Sequence, residues 1–277
     1  MNTRDPGFLP DVQATADGRN VVIQRVGIRA IKLPVTIATP QGTQHSIATI
    51  GMYVMLPGDQ KGTHMSRFID VIQQHEEPLS PPSMRRLLAS MLARLEASEG
   101  SIELQMPYFI RKAAPVSGVK SLMDYQLTLR AEQRGAAVDV TQQVVVPVTS
   151  LCPCSKKIAD YGAHNQRSHV TISAVLDGDL SVNEQIRVAE EGASCELWGM
   201  LKRSDEKYVT ERAYDNPKFV EDVVRDVALV LTRDPRIASF RVECENFESI
   251  HNHSAYALIE HDARAERAQR SGITGRP

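Results

Sequence analysis

The chain has 277 residues, 42% of them apolar, with 32 Lys and Arg against 34 Asp and Glu and a formal net charge of −2. That length allows one large domain or two small ones around a substantial core. It contains no run of about 18 apolar residues that would span a membrane, and its charge balance offers no basic field to attract nucleic acid. Four cysteines, at positions 152, 154, 195 and 244, do not make a disulfide scaffold at this length. The N-terminus lacks the basic-then-apolar order of a signal peptide. A cytoplasmic protein with free or metal-bound thiols is expected.

In chain order, residues 1–20 are polar and read as a flexible N-terminal segment. Strands are predicted from Val26 to Val35 and from His45 to Leu56, with Pro40-Gln-Gly42 in the turn between them and Pro57-Gly58 as the stop. Lys61-Gly-Thr-His-Met-Ser-Arg-Phe68 opens a short helical stretch that ends before the prolines at 78, 81 and 82. Ser83 is the expected cap of a helix whose Leu87, Leu88, Met91, Leu92 and Leu95 recur at helical spacing, with Gly100 ending it. Such a stripe reads as core. Strands follow near 102–111 and 119–132.

The order then repeats. A strand is predicted over 137–149, then a loop rich in Cys and His, then a strand over 169–176 and a helix over 182–191. Asn216-Pro217 suggests cap and first residue of a stronger helix, with Val220, Val223, Val224 and Val227 on its apolar face. Strands over 237–245 and 255–260 complete the set, and the charged residues 263–277 read as a flexible tail. The result is β-β-α-α-β-β twice, as units 21–133 and 134–262. Two four-stranded antiparallel sheets, each with helices on one face, make an α+β architecture. Closing their open edges against partner subunits, as barrels, would remove an aggregation liability.

The chemistry concentrates in residues 150–170. Cys152 and Cys154 are too close in sequence to bridge each other without strain, and their spacing is not that of a zinc knuckle. They and His164 can be core and turn residues. Together with Glu206, His251 and His253 they can also supply one thiolate, imidazoles and a carboxylate to a divalent metal, with a position left open for water. Histidines near such a site can move protons at neutral pH. Glu221 stands near the start of a helix, where a carboxylate suits the dipole. It can equally anchor a ligand with two adjacent N–H groups, such as guanine. No nucleotide-phosphate fingerprint is present: Gly58-Asp-Gln-Lys-Gly62 lacks the P-loop spacing.

Ser150-Leu-Cys-Pro-Cys-Ser-Lys156, Tyr161-Gly-Ala-His-Asn-Gln-Arg-Ser168, Lys61-Gly-Thr-His-Met-Ser-Arg-Phe68 and Glu245-Asn-Phe-Glu-Ser-Ile-His-Asn-His253 resemble GTP cyclohydrolase IB, and the resemblance runs from about residue 10 to 260. It implies a tunnelling fold in a homotetramer. It also implies conversion of GTP and water to 7,8-dihydroneopterin triphosphate and formate, the entry step of folate biosynthesis, with one divalent metal per subunit (zinc, manganese or iron(II)). By motif, the metal ligands would be Cys152, His164 and Glu206, and Glu221 would hold guanine. His251 and His253 would act at the site, with Cys154 and Glu248 as further candidates. Lys61, Arg67, Lys156 and Arg167 are candidate triphosphate contacts; taken singly, each also reads as an ordinary surface or structural charge. The competing readings are another tunnelling-fold enzyme or a non-catalytic metal-binding assembly protein. The first would be a cyclic-phosphate-forming GTP cyclohydrolase, or a nitrile reductase with a cysteine nucleophile and NADPH.

Overall fold

The computed structural model describes residues 11–13 and 15–265; most of the expected tail and half of the expected N-terminal segment lie outside them. Strands β1 (Ile23–Thr39) and β2 (Gly42–Leu56) form a hairpin. It turns over Pro40 and Gln41, and Gly42 follows at φ +122°, a backbone conformation that favours glycine. Helices α1 (Met65–Gln73) and α2 (Pro81–Leu95) come next. Ser80, one turn earlier than expected, caps α2. It accepts from Ser83 N and donates its own N–H to Ser83 Oγ, a reciprocal pair that satisfies two otherwise orphaned donors. The predicted stripe from Leu87 to Leu95 is buried, each side chain stabilising the fold by about 1.5–3 kcal/mol. The helix ends at Glu96, in the left-handed region at φ +55°, and Gly100 instead opens a strand.

That strand, β3 (Gly100–Ala113), pairs with β4 (Lys120–Arg134). A two-residue turn with Gly135 at φ +57° then leads into β5 (Ala137–Leu151), which pairs with β4. The two sheets expected from the sequence are therefore joined edge to edge. The second half continues with a short helix α3 (Pro153–Ile158), β6 (Asn165–Leu176), helices α4 (Val182–Gly192), α5 (Arg203–Asp215) and α6 (Val220–Thr232), and strands β7 (Ile237–Asn246) and β8 (Ala255–Asp262). All eight strands form one antiparallel sheet in sequence order.

Register explains the core. Ile50, Leu104, Leu129, Gln142, Ala174 and Phe240 stand opposite one another across six strands, and all are buried. With period two, this fixes one apolar face, against which α2, α4 and α6 pack. The alternate rungs, such as Glu103, Arg130 and Thr141, carry polar groups on the other face. Gln142 is the polar member of the buried rung, and it is paid for: its amide donates to Gln185 Oε1 at 2.8 Å and to the Leu180 carbonyl, tying α4 to β5.

Two further expectations fail for physical reasons. Helix α5 was not expected because it has no apolar stripe; Asp205 and Ala213 are its buried residues. Asn216 does not start α6 but ends α5, where its amide donates to the carbonyls of Ala193 and Ser194. Helix α6 begins three residues after Pro217. Among the described residues no helix is long and apolar enough to cross a membrane.

Candidate active site

The last rung between β5 and β6 pairs Leu151 with Asn165. Cys152 and His164 are the residues just beyond it, and Cys152 N donates to the His164 carbonyl at 3.1 Å. The segment 152–164 is thus an excursion from a hairpin, and the sheet itself brings its two end residues face to face. Pro153 starts α3 at the first helical position, where its missing N–H costs nothing. Cys152 is its cap, with Sγ accepting from Ser155 N at 3.4 Å. Ser155 Oγ accepts in turn from His164 N at 3.3 Å. The cysteines that read as a tight turn therefore sit in the first turn of a short helix, Cys152 half-buried and Cys154 exposed.

The loop after β7 closes over the same point. Phe247 N donates to the Arg167 carbonyl, and the next residues face the His164 ring. Its Nδ1 lies 3.1 Å from Gln166 Oε1, 3.5 Å from Ser249 Oγ and 4.0 Å from Glu248 Oε2. His251 and His253, on the same loop, are exposed and stack on each other at 5.0 Å and 11°. Behind the site, Ser168 Oγ lies 2.9 Å from Ser150 Oγ and 2.7 Å from Asn246 Oδ1, a buried polar layer spanning β5, β6 and β7. The other two thiols are buried, and burial pushes both up, Cys244 to about 12.

The two glutamates share a pattern. At the start of α5, Asp205 is fully buried and accepts from Val116 N, Ser117 N, Ser117 Oγ and Lys202 N at 2.6–2.8 Å. Burial alone would raise its carboxyl, but the bonds from Ser117, Lys202 and Val116 outweigh that and hold it far below the ordinary carboxylate range. At the start of α6, Asp222 Oδ2 accepts from Phe219 N. In each helix the aspartate serves the terminus. The neighbouring Glu206 and Glu221 are exposed, and no side-chain hydrogen bond or ion pair engages either carboxylate among the described residues. Glu221 lies three residues beyond Lys218, whose N–H bonds the Leu151 carbonyl beside Cys152.

Glu206 is farther away. Lys156 of α3 donates to the Tyr214 carbonyl, at the other end of α5, eight residues or about 12 Å along the axis. Among the described residues no three Cys, His, Asp or Glu side chains converge closely enough to hold a metal ion. Cys152 and His164 do offer the sulfur and nitrogen donors that suit zinc or iron(II). A cavity of about 840 Å³ elsewhere is lined by Lys112, Tyr125, Glu190 and Glu196, groups already bonded to one another.

The family profile of type I GTP cyclohydrolase FolE2 matches residues 9–257. The chain belongs to that family. It is 60% identical to the GTP cyclohydrolase FolE2 of Paraburkholderia xenovorans over 96% of this chain and 100% of that one. It is 58% identical to GTP cyclohydrolase FolE2 2 of Cupriavidus metallidurans over 95% and 99%. Among solved structures, a hyper-thermostable AgUricase mutant matches 86% of this chain and 91% of its own with a TM-score of 0.50 at 11% identity. That likeness shows the fold alone, the α+β tunnelling fold.

Within this FolE2-family chain the basic candidates are dispersed. Arg67 lies 3.6 Å from Glu96 and donates to the Arg94 carbonyl, in the first half. Lys61 is exposed, and its N–H bonds the Thr15 carbonyl. Lys156 sits 4.2 Å over the Tyr214 ring, and Arg167 is exposed at the start of β6. Sequence reasoning missed Gln166 and Ser249 beside His164, and Asp205 beside Glu206. For Gln166 a signal existed: two residues along a strand return to the same face.

Proposed function

We propose that this chain is a metal-dependent GTP cyclohydrolase of type IB, converting GTP and water to 7,8-dihydroneopterin triphosphate and formate at the head of folate biosynthesis. The observation that carries this reading is the pairing of Cys152 with His164 beyond the last rung of β5 and β6, in a chain of the FolE2 family. Cys152, His164 and Glu206 are the proposed ligands of zinc, manganese or iron(II), one per subunit. When bound, such a metal supplies an activated water, whose pKa falls to about 7 in favourable sites.

The remaining roles belong to the chain. Glu221, its carboxylate free because Asp222 serves the helix terminus, accepts from guanine N1–H and the 2-amino group. Adenine would leave that carboxylate unpaired, so ATP is rejected. His251 and His253 hold and deliver the protons needed as the imidazole ring of the purine opens. Cys154 and Glu248 border the site, and Lys61, Arg67, Lys156 and Arg167 are proposed for the triphosphate. A homotetramer is the proposed state: β1 and β8 leave the sheet with two open edges, and Glu206 stands apart from Cys152 within one chain. Light scattering tests this, and a stable, active monomer at micromolar concentration overturns it. The proposed compartment is the cytoplasm, where the free thiols of this chain stay reduced.

The decisive experiment incubates metal-loaded protein with GTP, oxidises the product and reads pterin fluorescence beside formate. One formate per fluorescent pterin triphosphate is expected. A cyclic-phosphate product would assign a different tunnelling-fold reaction, and no turnover with any of the three metals would point to a non-catalytic protein.

A further inference from the structure

His164 is bounded on its Nδ1 side by oxygen atoms from two separate elements. Gln166, on β6, places Oε1 at 3.1 Å; Ser249 and Glu248, on the loop after β7, place Oγ at 3.5 Å and Oε2 at 4.0 Å. An ionised Glu248 carboxylate offers acceptors and no donor, and its side chain and that of His164 are 12% and 14% exposed. A bare Nδ1 would turn its lone pair toward that carboxylate in a poorly solvated spot. A protonated Nδ1 is attracted to it and has an acceptor at hydrogen-bond distance. The Gln166 amide must then present oxygen, because its NH₂ group would oppose the ring N–H. Gln166 is itself 8% exposed, so the choice of partner is not left to water.

We infer that Gln166 is a positioning residue for His164: its amide oxygen takes the Nδ1 proton and leaves Nε2 as the lone-pair donor of the ring. The inference rests on the reading of His164 as a metal ligand, and adds to it the group that sets tautomer and ring orientation. A neutral imidazole binds a metal through one nitrogen only if the other keeps the proton. Outer partners of this kind are commonly worth 10- to 100-fold in metal affinity. Glu248, at 4.0 Å, is too far for that bond; it biases the charge, while Gln166 makes the contact.

The test titrates zinc into metal-free full-length protein against a chromophoric chelator, for wild type, Gln166→Met, Gln166→Glu and His164→Ala. Gln166→Met keeps the volume and removes the acceptor; zinc affinity is expected to fall by about 10- to 100-fold. Gln166→Glu keeps an acceptor oxygen and is expected to bind within a few-fold of wild type, a rescue that packing alone would not give. Circular dichroism of the metal-free forms checks folding. Wild-type affinity in Gln166→Met, with affinity lost in His164→Ala, overturns the inference and leaves the metal reading standing. Wild-type affinity in His164→Ala overturns the metal reading and this inference with it. If Gln166→Met does not fold, Gln166→Glu decides alone: affinity as weak as in His164→Ala overturns the inference, and affinity near wild type supports it.

Discussion

In the first half of the chain β1 turns into β2 over two residues, Pro40 and Gln41, whereas in the second half β5 reaches β6 through residues 152–164. The connection from β3 to β4 runs over 114–119, and its counterpart from β7 to β8 over 247–254. Because the sheet is antiparallel and in sequence order, all four connections leave the same end. The frame is one and the same; what differs is the cargo of its loops. The first pair holds strands together, and the second carries Cys152, His164, Glu248, His251 and His253. Lengthening a loop is cheap, about 0.6 kcal/mol per doubling. Chemistry can therefore be added at a strand end without disturbing the register that supports it, and the ladder delivers the first and last residues of the excursion to each other.

The sharpest break of this contrast is Cys152→Ala. Metal per subunit, by elemental analysis, should fall toward zero, and turnover with it. Cys154→Ala, two residues along, should keep most of the metal. Equal loss in both would mean a two-thiolate site, and full retention in Cys152→Ala would move the metal out of this connection. Next in size is Glu221→Gln. An amide cannot accept both guanine N–H bonds, and at about 1.5–3 kcal/mol per bond to a charged acceptor kcat/KM for GTP should drop by about 10²-fold with metal content unchanged. An unchanged kcat/KM would leave Glu221 to the helix dipole.

Asp205→Asn probes the strap between the halves, since Asp205 fastens α5 to the β3–β4 connection. Its folded carboxyl lies below the ordinary value of 3.8. Its stabilising effect is thus complete above that value and is lost as pH falls below it toward the folded one. The substitution should lower the melting temperature at neutral pH and flatten the loss of stability below about pH 4; a wild-type acid profile would contradict this. The smallest effect belongs to the first half. Gly42→Ala meets no neighbour but must hold φ +122°, costing about 1–2 kcal/mol in denaturant titrations with kcat unchanged. A large fall in kcat would show that the short turn is not merely structural.

What could be read beforehand follows the same physics. The α2 stripe was legible because Leu87 to Leu95 repeat at helical spacing and all face one core. The strands were legible through alternation, but their ends were not: β1 reaches back to Ile23 through three exposed residues, and runs on to Thr39 past a single buried side chain, Ile37. Helix α5 was illegible because its anchoring is polar: Asp205 and Asn216 hold its two ends through backbone groups far away in sequence. Asn216-Pro217 looked like a helix start, yet the same amide serves a helix end when carbonyls lie within reach. At the site, the motif named Cys152 and His164 through resemblance. Their meeting is a matter of register, Leu151 opposite Asn165, which one-dimensional spacing does not specify.

The unbroken strand order has a consequence in time. Each strand pairs with the one before it, so during synthesis every new strand finds its partner already made, and no early edge waits for a distant one. Cys152 and His164 meet as soon as β6 lies down on β5. Glu248 and Ser249 reach the His164 ring only when β7 docks on β6, some eighty residues later in the chain. Folding in that order sets the imidazole beside Gln166 first and brings the histidine-bearing loop to it later, when only β8 has still to pair.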